Sequence, residues 1–371
     1  MKHGTRRTWP WLLLLVFIGV AAQFALWPPA WADSVYLGVT LPLWSRVTSL
    51  LVTSVPGSLS AALLLVVAVI VVVSVLAGRR PGRRALRFVL WLLALGIATF
   101  PFTFGLGYHT TTLEQRLGLT APAVGGGLDV GGAGPQAAAL GQSLVSIASE
   151  AALTVLSESA TALGAVVASG DARPPSTEAA ARCVDEYVAT FTDAPRATVA
   201  GTVKSLPSGW MLRFGFAGIV NPWLLEPHVD SGLPTSAALA VALHELAHTV
   251  GFAREAEAEA VALIAGMTCA DAGVRYAASL RAATTFAGLL MPDARESYLS
   301  RWPDVARTDA AAATAAQERY HSRAAADIAA SVYDTYLSSQ GAADGMDDYG
   351  RAATIVAQVI GRDGVPAIPT P

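Results

Sequence analysis

Three uninterrupted apolar runs occupy the first third of the chain. Trp9 to Trp27 (WPWLLLLVFIGVAAQFALW), Leu59 to Ala77 (LSAALLLVVAVIVVVSVLA) and Phe88 to Leu106 (FVLWLLALGIATFPFTFGL) contain no charged residue. About 20 apolar residues in a helix cross the hydrocarbon of a bilayer, so the pattern predicts transmembrane helices over 9–27, 59–77 and 88–106. Pro28 and Pro29 close the first, and Pro101 lies near an end or kink of the third. A cleaved signal peptide competes for the first run, since Lys2, Arg6 and Arg7 precede it and AWAD offers a small-residue site. The run is longer than an ordinary signal core and two further spans follow, which favours an uncleaved helix.

Beyond residue 107 the pattern changes. Residues 108–135 read as a linker, ending in the glycine-rich APAVGGGLDVGGAGP. Ala137 to Ser169 is alanine-rich but interrupted by Gln142, Glu150 and Glu158, which predicts a soluble amphipathic helix pair. Another helix is expected over 180–200, ending near Pro195. Bulky and small residues alternate from Trp210 to Val220, as in one or two short strands. NPWLLEPHVDSGLP reads as a loop, and from Ser236 the chain is helical apart from breaks near Pro292, Pro303 and 341–345. The expected fold is mainly α: a membrane domain over 1–107, then a mostly helical α+β domain over 136–371. No internal repeat is present.

Composition agrees with membrane segments joined to a globular part, at 53% hydrophobic and 14% charged residues. A net charge of −3 gives no reason to expect a nucleic-acid partner. The distribution of charge says more than its sum. Arg79, Arg80, Arg83, Arg84 and Arg87 lie between the second and third spans, whereas residues 28–58, read as a loop, carry only Asp33 and Arg46. Basic loops stay in the cytoplasm, so the N-terminus and the arginine loop are expected inside. Three crossings then leave the rest of the chain outside. Two cysteines, Cys183 and Cys269, are too few for a disulfide scaffold or a cysteine-rich zinc site. They can bridge in an oxidising compartment if their Cα atoms come close, which the sequence leaves open.

The candidate chemistry lies in VALHELAHTVGFAREAEAEAVALIAG, residues 241–266. HELAH fits H-E-x-x-H, and on a helix positions i and i+4 share a face. His244 and His248 can therefore aim two imidazoles at one ion. Glu245 stands beside the first, where its carboxylate can take a proton from a water molecule that zinc has acidified towards pKa ~7. Ala242, Leu243, Leu246 and Ala247 suit a helix packed in a core. A third ligand is needed. Glu255 lies seven residues past His248, ~10 Å too far along a continuous helix. Gly251 can end that helix with a φ > 0 turn, so that a second helix starts near Arg254. Glu255, Glu257 and Glu259 then compete for the ligand role. Glu255 and Glu259 share a face, which suits one ligand and one carboxylate bonded to a ligand histidine's free N–H. Glu257 points about 160° away from both, towards an expected solvated surface. Arg254 stands where the metzincin pattern requires histidine, and arginine stays protonated. The apolar flank of HELAH is too short for an intramembrane site.

HELAHTVGFAREAEAEA resembles the signature of a bacterial family of membrane-anchored, zinc-metallopeptidase-like proteins described as a domain of unknown function. Its members typically show HELAH, two variable residues, GFAREDEAN and an apolar helix. The likeness extends to three N-terminal spans, PFTFGLGYHT after the third, a short strand region before the motif and VYDTYLSSQGAADGMDDYGR near the end. It implies a zincin-like fold, Zn2+ as cofactor, and endopeptidase action on a peptide or protein, with no particular substrate. Its E-x-x-A-[ND] pattern is similar to that of other H-E-x-x-H peptidases, where the first glutamate is a ligand and the residue four later supports a histidine. That implies a metal set of His244, His248 and Glu255 with Glu245 as general base. Glu259 stands at the supporting position, where Asn or Asp is usual.

The alternatives are a zinc-bearing membrane sensor or assembly protein that cuts nothing, and a membrane scaffold without metal. His228, in LLEPHVD, is a candidate for the cleft or for oxyanion stabilisation, against the plainer reading of an exposed loop histidine. Tyr333, Tyr336 and Tyr349 are candidate oxyanion donors or packing residues. His109 and His321 have no partner nearby in sequence. The FGFAGIV strand offers an edge for an extended peptide.

Overall fold

Gly19 packs so tightly on the third apolar run that a Cβ there would come within 2.2 Å of the Ile97 carbonyl oxygen. This contact, in a computed structural model that describes residues 9–76, 81–119, 135–169, 176–190, 197–339 and 348–364, joins helix α1 (Trp9–Phe24) to helix α4 (Pro81–Thr103). The two run in the same direction. His109 and Gln23 tie their C-terminal ends together, with His109 Nε2 2.9 Å from the Gln23 carbonyl oxygen. Between them in sequence come α2 (Pro29–Ser54) and α3 (Leu59–Leu76). The apolar α3 buries none of its residues.

Residues 28–58 are not a loop. Helix α2 fills most of them, with a π-helical middle over Asp33–Thr40. Pro29 stands in its first turn, where the missing N–H costs nothing. The two charges that suggested a loop are accommodated differently. Arg46 is exposed. Asp33 pairs with Arg116 at 2.6 Å and accepts from the Thr111 N–H and hydroxyl. By length and apolarity Pro29–Ser54, Leu59–Leu76 and Ala85–Thr103 could cross a membrane, whereas Trp9–Phe24 has only 16 residues. The expected first span, 9–27, is therefore shorter than predicted, and α2 is an apolar helix that the charge pattern hid. Unlike α3, α2 buries Tyr36, Leu41 and Val52 against the rest of the chain.

The expected helix pair at 137–169 is a single helix, α5 (Pro135–Ser169), since neither glycine nor proline breaks its second half decisively. Its glutamates face outward, Glu150 to Arg301. Helix α6 (Thr177–Ala189) begins at Ser176, whose hydroxyl accepts from the Ala179 N–H. Three short strands follow: β1 (Lys204–Leu206), β2 (Gly218–Asn221) and β3 (Glu226–Asp230). Their order is β1-β3-β2, with β3 parallel to β1 and antiparallel to β2. The stretch read as a loop thus contains the central strand. Pro227 argues against a strand, and because all of Glu226–Asp230 is buried there is no polar–apolar alternation to read.

The remaining elements are all helical: α7 (Thr235–Thr249), α8 (Glu255–Met267), α9 (Ala272–Leu289), α10 (Pro292–Ser300), α11 (Asp304–Tyr320), α12 (Arg323–Ser339) and α13 (Asp348–Asp363). The breaks at Pro292 and Pro303 occur as expected, and a further one follows Tyr320. Most of the glycine-rich linker and the 341–345 break lie outside the described residues. Helix α8 is buried from Ala256 to Met267 and forms the centre of the core. Each fully buried Leu or Ile there contributes about 1.5–3 kcal/mol, an upper figure because denatured chains already hide some apolar surface. Cys183 of α6 and Cys269, just past α8, form a disulfide with Cα atoms 5.4 Å apart. The bridge left open by the sequence is thus present.

Candidate metal centre

The site begins with the way α7 stops. Leu243, Leu246 and Ala247 are buried, which fixes the helix in the core and turns His244 and His248 towards α8. After Thr249 the chain reaches Gly251 at φ +107°, a conformation that side chains rarely tolerate. A Cβ there would also strike Leu37 and Leu41 of α2, at 2.6 and 2.9 Å. Glycine is therefore required twice, for the turn and for the neighbouring helix. Arg254 is extended, and Glu255 is the first residue of α8. The expected two-helix arrangement is present.

The turn brings His244, His248 and Glu255 together, with one donor atom of each within 4.8 Å of the others. Glu255 Oε2 lies 3.1 Å from His244 Nε2, and Oε1 lies 3.5 Å from His248 Nε2. The outer face of each imidazole is already engaged. His244 Nδ1 is 2.9 Å from Glu259 Oε2, and His248 Nδ1 is 2.6 Å from the Phe252 carbonyl oxygen. Both partners can only accept, so both Nδ1 atoms carry protons. In the neutral tautomers each Nε2 is then a bare lone pair, and the two lie 3.2 Å apart beside a carboxylate. A cation between them, a proton or a metal ion, would satisfy all three acceptors. A His2Glu set with oriented rings suits zinc.

Without an ion, a proton on His244 takes that place. Burial opposes charge on His244, but hydrogen bonds to Glu255 and Glu259 overcome it and raise its pKa well above the usual histidine range. Burial opposes the charged form of Glu255 too, and the attraction of His248 with the His244 and His248 hydrogen bonds holds it well below the usual carboxylate range. Glu259 is lowered to about 2, because Arg281 and His244 outweigh its burial. Arg281 Nε donates to Glu259 Oε1 at 2.8 Å and so completes a chain from guanidinium to carboxylate to imidazole.

Glu245 behaves differently. It is buried, yet its carboxylate accepts no hydrogen bond from the described residues. Burial pushes its pKa up to about 7, and the neighbouring histidines only moderate this. Its Oε1 faces β2, where a Cβ on Gly218 would come within 2.6 Å. An unbonded carboxylate beside a cation pocket can exchange a proton near neutral pH.

Some expectations are corrected. Glu257 is not on a solvated surface: it is buried and pairs with Arg254 at 2.8 Å. Arg254 also donates to the Tyr108 and Thr110 carbonyl oxygens, which locks the start of α8 to the segment after α4. His228 is neither an exposed loop residue nor within hydrogen-bonding distance of the His–Glu centre. It is buried on β3, with Nε2 2.9 Å from Ser58 Oγ and 3.3 Å from Glu226 Oε2. Among the tyrosines, Tyr333 of α12 donates to Glu255 Oε1 at 2.5 Å, and Tyr336 instead donates to the Tyr108 hydroxyl. The Tyr349 side chain lies outside the described residues. His109 bonds the end of α1, and His321 is an exposed helix-end residue.

Three participants escaped the sequence reading. Arg281 lies far along the chain and carries no local signal. Phe252 acts through its backbone. Phe104, one residue past α4, sets its ring 6.0 Å from that of His248.

No curated protein gives a significant match to the chain, and no solved structure does. Residues 32–356 do match a family described as a protein of unknown function (DUF3810), and this mostly helical chain with its small sheet belongs to that family.

Proposed function

We propose that the protein is a membrane-anchored zinc endopeptidase. The observation that carries this reading is the convergence of the two imidazole Nε2 atoms and a carboxylate next to the unbonded Glu245. His244, His248 and Glu255 would hold Zn2+, with Glu259 and the Phe252 carbonyl fixing the imidazole tautomers. The ion would supply Lewis acidity, polarising the peptide carbonyl and acidifying water. Glu245 accepts the proton of the attacking water as its oxygen bonds to the carbonyl carbon. The C–N bond then breaks with its electron pair going to nitrogen, and Glu245 returns the proton to the leaving amine. The HELAH helix below a small sheet supports a zincin-like domain.

The same reading gives the orientation. α1 and α4 end, and α3 begins, at one end of the bundle. There Gln23 meets His109, and Ser60 meets Glu226. At the other end α1 and α4 begin and α3 stops, next in sequence to the basic N-terminus and the arginine loop, which belong in the cytoplasm. In this topology α1, α3 and α4 cross and α2 lies on the outer side against the domain. If α2 crossed as well, the arginines would lie outside. The Cys183–Cys269 bridge supports an oxidising, extracytoplasmic location.

The test is metal content and peptide cleavage by the purified full chain. One zinc per chain and cleavage lost in Glu245→Gln are expected; wild-type rates in that variant would overturn the mechanism. A second reading, a structural zinc in a sensor or assembly protein, is favoured by the burial of His244 and His248. It predicts full zinc occupancy, no cleavage and unfolding on chelation.

A further inference from the structure

The tip of the β2–β3 hairpin touches a membrane helix well below its end. Trp223 Nε1 donates to the Gly96 carbonyl oxygen of α4 at 3.1 Å, and its ring lies 6.2 Å from that of Phe100. Trp44 of α2 in turn donates to the Trp223 carbonyl oxygen at 2.8 Å. Gly96 stands nine residues past Arg87, about 14 Å along the helix at ~1.5 Å per residue. The hydrocarbon core is about 30 Å thick. With the arginines at the inner boundary, Gly96 lies deep in the bilayer, and the tryptophan bonded to it cannot stand clear of the outer leaflet. Trp223 and Trp44 nevertheless keep 40% and 37% of their surfaces exposed, and Ile219 on β2 keeps 49%. Apolar rings left bare at that depth meet acyl chains rather than water. Phe104, against His248, comes eight residues after Gly96, about 12 Å further along. The metal pocket then lies at the outer boundary of the hydrocarbon.

We propose that the hairpin tip is inserted in the outer leaflet and that the centre cuts membrane-anchored polypeptides just outside their spans. A segment emerging from the lipid beside α4 meets Trp223, then the exposed side of β2, then Glu245 behind Gly218. A freely diffusing peptide would gain nothing from this placement. The inference rests on the zinc-endopeptidase reading and on α4 as a span.

Two measurements on the full chain test it. In phosphatidylcholine vesicles, Trp223→Cys is labelled with an environment-sensitive fluorophore and challenged with lipids carrying a quencher at known depths; the native cysteines are bridged and do not compete. The label is expected to be quenched by acyl-chain quenchers, unlike one at Ser300→Cys, an exposed position. Leu224→Cys serves the same purpose should the first variant fail to retain zinc. Equal, negligible quenching at the hairpin and at residue 300 overturns the insertion.

New protein termini are then mapped in cells with the wild-type protein and with Glu245→Gln. Wild-type-specific cuts should cluster within roughly ten residues of a membrane span, ~33 Å of extended chain. Cuts spread through soluble secreted proteins would overturn the substrate class and leave the peptidase reading intact. No difference between the two strains would overturn both.

Discussion

Two histidine–glutamate clusters, one on α7 and α8 and one on β3, differ in their supply of donors. In the first, His244, His248 and Glu255 turn acceptors towards one another. In the second, Glu226 and His228 of β3 meet the first turn of α3. Glu226 accepts from the Leu59 N–H at 2.8 Å, the Ser60 N–H at 2.7 Å and the Ser58 and Ser60 hydroxyls. Asn221 donates to the Ser60 hydroxyl at 2.9 Å. Burial alone would raise the Glu226 pKa, but the hydrogen bonds from His228, Ser60 and the Leu59 N–H lower it to about 2. A saturated carboxylate at a helix N-terminus is a cap and a brace. A carboxylate among imidazole nitrogens that face one another can hold a cation. Residue type does not separate the two clusters, whereas counting donors does.

Substitutions on each side put this contrast at risk. The largest effect is expected from Glu245→Gln, a loss of 10²–10⁴-fold in kcat, of the order of general-base catalysis, with zinc stoichiometry unchanged. His248→Ala should abolish zinc binding, measured by metal analysis after dialysis, whereas His228→Gln should keep it; zinc loss in both would merge the clusters.

Glu226→Gln should destabilise the protein by about 3 kcal/mol near neutral pH, from a shift of ~2.5 pKa units at 1.36 kcal/mol each. The sign follows from the depressed folded pKa: the contribution is present above about 4.5 and fades as pH falls towards about 2. Unfolding in detergent at pH 7 and pH 3 should therefore separate wild type from variant more at pH 7; a gap that widens in acid would contradict the brace. Glu259→Gln is expected to weaken zinc binding about 10–100-fold, read by competition with a chelator, since it leaves the His244 tautomer less well fixed. Tyr333→Phe should have the smallest effect, a few-fold in zinc affinity at most, since it removes one donor from a carboxylate that keeps two imidazole neighbours.

Legibility in the sequence followed distance along the chain. His244, Glu245, His248, the Gly251 turn and Glu255 fall within twelve residues, where helix and turn geometry narrow who can meet and the family resemblance selects Glu255 among three glutamates. Glu259 was visible as sharing a face with Glu255, although its link to Arg281 was not. Glu257 was misread because helix-favouring EAEAEA resembles a solvated surface, and only the folded Arg254 shows otherwise. β3 was hidden by Pro227 and by burial on both faces. Helix α2 was hidden by two charges, Asp33, which finds its partners only from residues 111–116, and Arg46, which is exposed. The Cys183–Cys269 pair lies 86 residues apart in sequence, beyond any local rule.

That bridge also affects timing. It pins α6 to the end of α8, the helix that contributes Glu255 and Glu259. In the proposed topology a newly made chain lacks this brace until its C-terminal part has been exported, since thiols stay reduced in the cytosol. The ligand helix acquires its last covalent restraint only after translocation. In that topology the bracing of the helix that carries Glu255 and Glu259 is tied to the compartment in which the disulfide can form.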